Sequence, residues 1–119
     1  MATIKSFTDL EQSKKLADIL PPESADFHFS ANLSKKGYLE KPIWGNPESA
    51  NYHAFPCWSL SALLNVLFFP ALRYDIEDGE GGWIVSCENN DRCFLSYYRD
   101  NPVDTCYEMI IKLNELNML

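Results

Sequence analysis

Residues 55–69, Phe-Pro-Cys-Trp-Ser-Leu-Ser-Ala-Leu-Leu-Asn-Val-Leu-Phe-Phe, form the longest apolar run in the chain. Leu60, Leu63, Leu64 and Leu67 recur at helical spacing, and Pro56 suits a first helical turn, where a missing N–H costs nothing. Trp58, Val66 and Phe68 add apolar surface off that stripe, so the run predicts a core helix covered on several sides and ended by Pro70. It is shorter than the roughly 20 apolar residues that span a bilayer, so no membrane role is expected.

The rest of the chain must pack around this run. At 119 residues it suits one domain, residues 1–119, able to fold without staple or metal. Thr8-Asp9-Leu10-Glu11 reads as a capping box for a helix from Asp9 to Leu20, stopped by Pro21-Pro22. Ala25–Ser30 reads as a strand with Phe27 and Phe29 on one face. Beyond Pro70 the period changes to two. Leu72, Tyr74 and Ile76 alternate with Arg73, Asp75 and Glu77, and Asp78-Gly79-Glu80-Gly81-Gly82 reads as a turn. Residues 83–88 and 93–98 supply two more strands across an Asn89–Arg92 turn. Asn101 then caps a last helix with Pro102 at its first position and Asp104 in its first turn. Val103, Cys106, Tyr107, Ile110, Leu113 and Leu116 form its apolar stripe. The expected fold is α+β: an antiparallel meander of about three strands against two to three helices, with the strand near Phe27 able to join it.

Charge narrows the partners. The net charge is −7. The first 41 residues are balanced, so the whole excess follows Lys41, and Asp75, Glu77, Asp78, Glu80, Glu88 and Asp91 are uninterrupted by Lys or Arg. Such a field repels phosphate backbones, which argues against direct nucleic-acid binding. No charged segment leads into an apolar one at the N-terminus, so a signal peptide is not expected and a cytoplasmic location is. The four cysteines, Cys57, Cys87, Cys93 and Cys106, are then expected as reduced thiols, although Cys87 and Cys93 could meet across a hairpin.

Three stretches taken together resemble a known group. Ile-Lys-Ser-Phe-Thr-Asp-Leu-Glu-Gln-Ser-Lys-Lys-Leu-Ala-Asp-Ile-Leu-Pro near the start, Pro-Cys-Trp-Ser-Leu-Ser-Ala-Leu-Leu in the middle and Asp-Asn-Pro-Val-Asp-Thr-Cys-Tyr-Glu-Met-Ile near the end resemble a family of small uncharacterised proteins from gut Bacteroidetes and their phages or other mobile elements. The resemblance implies a bacterial cytoplasmic or phage setting and brings no activity and no functional residues.

Chemistry has few candidates. Cys57 at a helix N-terminus, with His28 or His53 as base, would be a nucleophile for a cysteine-dependent hydrolase. Both histidines precede the cysteine, and the residues before Cys57-Trp58 differ from the papain-like pattern, so a structural thiol is the stronger reading. His28, His53 and Cys57 lack recognised metal spacing, and no metal or cofactor is expected. Glu80 and Ser86 stand where an EF-hand starting at Asp75 needs glycine and an acid. Tyr38, Trp44, Tyr52 and Phe55 lie in a long irregular segment and either anchor it or line a partner groove. The expected function is non-catalytic: a small binding or accessory protein with a protein partner. The cysteine hydrolase and an acidic nucleic-acid-mimicking decoy are the alternatives.

Overall fold

The computed structural model describes residues 5–30, 37–38, 41–45, 54–77, 79–89, 92–98 and 100–119. The described elements are three α-helices and two three-stranded antiparallel sheets, so the chain is α+β. The chain falls into two compact units, residues 7–62 and residues 63–119 with 1–6.

In the first unit, helix α1 (Leu10–Ala17) is capped one residue later than its sequence pattern suggests. Asp9 accepts from the Gln12 amide (2.8 Å), and Gln12 Oε1 accepts from the Asp9 amide (3.2 Å). Thr8 is drawn away because it is fully buried. Its hydroxyl lies 2.8 Å from that of Ser13 and accepts from the Trp58 amide at 3.2 Å. The helix ends before Leu20, whose amide still reaches the Leu16 carbonyl (2.7 Å), and a 3-10 turn follows at Pro22–Ser24.

Strand β1 (Phe27–Phe29) forms as its alternation predicts, but it does not join the meander. It is the centre of a separate sheet, between β2 (Ile43–Trp44) and β3 (Phe55–Cys57). Phe55-Pro56-Cys57 is therefore strand, not the opening of the helix. Proline is tolerated there because β3 is an edge strand. Helix α2 (Leu60–Val66) starts later, with Ser59 as its cap: Ser59 Oγ accepts from the Ala62 amide at 3.2 Å. The Asp26 carboxylate in turn accepts from the Ser59 amide (2.9 Å) and from its hydroxyl. Trp58 is completely buried, and its indole N–H donates to Ser24 Oγ at 2.9 Å.

In the second unit, Leu63 and Leu67 are buried, but α2 ends at Val66 and does not reach Phe69. The meander follows: β4 (Ala71–Glu77), β5 (Glu80–Asn89) and β6 (Arg92–Tyr98), each pair in continuous one-to-one register. Gly81 and Gly82 belong to β5 and not to the turn: they oppose Ile76 and Asp75, and the turn's Gly79 lies at φ +78°. The Tyr74 side chain occupies the position of a Cβ on Gly81, and Tyr97 that of a Cβ on Gly82. Two tyrosines from neighbouring strands thus cover the glycine pair on opposite faces. Cys93 opposes Glu88 while Cys87 opposes Phe94, so Cys87 and Cys93 point to opposite faces; all four thiols are free.

Helix α3 (Pro102–Glu115) forms as its signals predict. Asn101 Oδ1 accepts from the Asp104 amide (2.8 Å), and Lys5 Nζ lies 2.7 Å from Asp104 Oδ1. Val103, Cys106, Tyr107, Ile110 and Leu113 are buried, joined by Thr105 and Met109, whereas Leu116 is exposed. Because α3 packs chiefly on β5 and β6, Val85 and Cys87 are buried. Tyr74 and Ile76, on the same face of β4 and expected inside, are exposed.

Candidate functional site

A sheet residue's neighbours across the strands decide which face it serves. Phe27 opposes both Trp44 and Cys57, and His28 opposes both Ile43 and Pro56. Directly opposed residues share a face and successive residues alternate, so His28 and Cys57 lie on opposite faces of this sheet. They do not form a nucleophile–base pair. Cys57 also lies in a strand ahead of the helix it was expected to open, and it is fully buried. Burial, above all, pushes its thiol up to about 11, with the hydrogen bonds of Thr8 and Ser13 opposing that rise. The thiol donates to the Thr8 carbonyl at 3.3 Å. A reactive cysteine needs a lowered value and access, and Cys57 has the opposite of both. His53, the other base considered, lies outside the described residues.

His28 has a different task. Its buried ring donates from Nδ1 to the Gly45 carbonyl at 2.9 Å, and the Gly45 amide donates to the Asp26 carbonyl at 2.9 Å. Gly45 sits at φ +126°, a conformation open to glycine and strained for other residues. Residues on both sides of Phe27 therefore grip the end of β2, a strand too short to hold its place through ladder bonds alone.

That grip positions an aromatic row. Phe7 and Phe27 meet at 5.3 Å between ring centroids, and Phe27 meets Trp44 edge-on at 5.1 Å and 85°. The row ends in solvent: Trp44 is 72% exposed, and Ile43 beside it 47%. Of the other aromatics expected to make contacts, Tyr38 and Phe55 are half-buried and pack on each other at 5.5 Å. Tyr52 lies outside the described residues. Sequence reasoning missed Ile43, Asp26 and Gly45; the Ile43-Trp44 pair before a glycine was the available sign of a short edge strand.

No group of three His, Cys, Asp or Glu side chains able to hold a metal occurs among the described residues. No helix among them is long and apolar enough to cross a membrane. Set against family models, curated proteins and solved structures, the chain matches none.

Proposed function

We propose that the protein is a non-catalytic binding or accessory protein of bacterial or phage origin, cytoplasmic, that docks a protein partner through Trp44. The observation that carries this reading is an indole 72% exposed at the end of a gripped edge strand. Trp is among the commonest anchors of protein interfaces, because its large surface is desolvated at little entropic cost. A fixed β2 lowers that cost further, since little ordering is left to do on binding.

Capture of partners from a bacterial lysate, at low and high salt, tests it. Trp44→Ala should weaken capture by roughly thirtyfold, the effect of losing about 2 kcal/mol at an anchor. Asp75→Asn with Glu77→Gln should leave it intact. Loss with the acidic double variant and with salt, and none with Trp44→Ala, would replace the docking reading by the nucleic-acid-mimicking one.

A further inference from the structure

Four strands form the sheet edges among the described residues: β2 and β3 in one sheet, β4 and β6 in the other. An edge strand offers unpaired N–H and C=O groups to a second strand, and proteins blunt such edges by shortness, proline, charged side chains (lysine above all) or bulges. β2 has two residues, and β3 has three with Pro56 in the middle. At β6, the Lys112 ammonium donates to the Leu95 carbonyl at 3.4 Å. β4 is blunted only by charge: Arg73 and Asp75 lie on it, and the Ile76 amide donates to Asp75 Oδ1 at 2.9 Å. The strand runs seven residues without proline, lysine or bulge, and Arg73, Tyr74, Asp75 and Ile76 are all exposed.

We propose that β4 pairs antiparallel with β4 of a second copy of this chain, about a twofold axis at Tyr74. In that register Arg73 faces the partner's Asp75, and Asp75 faces the partner's Arg73. Leu72 and Ile76 likewise face the partner's Ile76 and Leu72, and the two Tyr74 side chains meet on the axis. Moving the axis by one residue sets Arg73 against Arg73, or Asp75 against Asp75, and opposed like charges destabilise a strand pair. Moving it one further, to Ile76, sets Asp75 against Glu77. Of these registers, only the one about Tyr74 opposes unlike charges without also opposing like ones, so the charge pattern of β4 favours this pairing with itself. The contact is isologous, so it closes at two copies and does not propagate into a fibre. It joins the two meanders into one sheet of the order β6-β5-β4-β4-β5-β6, a usual width.

Sedimentation velocity and light scattering on the full chain test the proposal. The wild-type protein should show a concentration-dependent dimer that weakens as salt rises. Arg73→Asp and Asp75→Arg, each alone, turn two attractive pairs into two repulsive ones and should weaken the dimer by roughly tenfold or more. The exchange variant carrying both changes restores opposite charges and should dimerise. The two single variants, mixed, should form a one-to-one heterodimer. Both sites are exposed, and circular dichroism on each variant checks that the fold is retained. A wild-type chain that stays monomeric at NMR concentrations overturns the proposal. So does a dimer indifferent to both single changes, which would lie on another surface.

Discussion

The ring of His28 holds the carbonyl of Gly45 at 2.9 Å, across from the strand that presents Trp44. The bond needs a proton on Nδ1, and both the neutral tautomer with that proton and the charged ring supply it. His28→Ala removes the donor and leaves a carbonyl short of its partner. A loss of about 1–3 kcal/mol is expected, read as a lower urea midpoint at unchanged slope. The Gly45 amide, which donates to Asp26, should exchange faster with solvent, and partner capture should fall toward that of Trp44→Ala. An unchanged exchange rate at Gly45 would show that β2 is held by other contacts.

The thiols divide into two classes. Cys93 is exposed, while Cys57, Cys87 and Cys106 are buried and pushed up to about 11, 11 and 12, in each case chiefly by burial. Native labelling should find one fast thiol, with the other three reacting only through opening. The sign of the pH effect follows. Above an ordinary thiol value of about 9 the unfolded chain gives up its proton first, so the folded state binds more protons and loses stability as pH rises. The contribution of Cys57 is complete below about pH 9 and lost as pH passes through about 11. Cys57→Ala should show a shallower alkaline decline than wild type in urea unfolding. Labelling of native Cys57 as fast as in the unfolded chain would revive the nucleophile reading.

What could be read from the sequence was what local chemistry decides. Asn101-Pro102 with Asp104 opens α3 because cap, proline and first-turn acid all act within one turn. The meander followed from its alternation. What failed was decided by distant partners. Phe55-Pro56-Cys57 looks helical until β1 is seen to pair with it, and Thr8 looks like a cap until Trp58 and Ser13 are seen to claim its hydroxyl. Gly81-Gly82 looks like a turn because the tyrosines that cover it come from other strands. At the candidate site, Trp44 was visible as an aromatic in an irregular segment. The grip of His28 and Asp26 on Gly45 was not, since it joins residues far apart in sequence.

Within α2, burial ranks two neighbouring leucines. Leu63 is fully buried and Leu64 half-buried. Leu63→Ala should cost about 2–5 kcal/mol, the range for a cavity in a packed core. Leu64→Ala should cost about 1–2 kcal/mol, because part of its surface already meets water. Equilibrium unfolding in urea measures both. A reversed order would mean that α2 turns its other face to the core.

Among the described residues, Phe69 is the position where the backbone is least suited to its residue. It lies at φ +44°, in the left-handed region, with its ring 85% exposed. That conformation costs a non-glycine residue about 1–2 kcal/mol, and an exposed ring recovers little of it through burial. Glycine adopts the region freely but loses about 0.5–1 kcal/mol through its looser unfolded chain. Phe69→Gly should therefore raise stability, by up to about 1 kcal/mol. Phe68 next to it is half-buried and outside the left-handed region, so Phe68→Gly should lower stability instead. Thermal unfolding of the pair gives a direct comparison, because both variants remove the same side chain from adjacent sites. Opposite shifts in Tm are expected. If both variants lose stability alike, the Phe69 ring is held by contacts and the left-handed turn carries no strain that glycine can relieve.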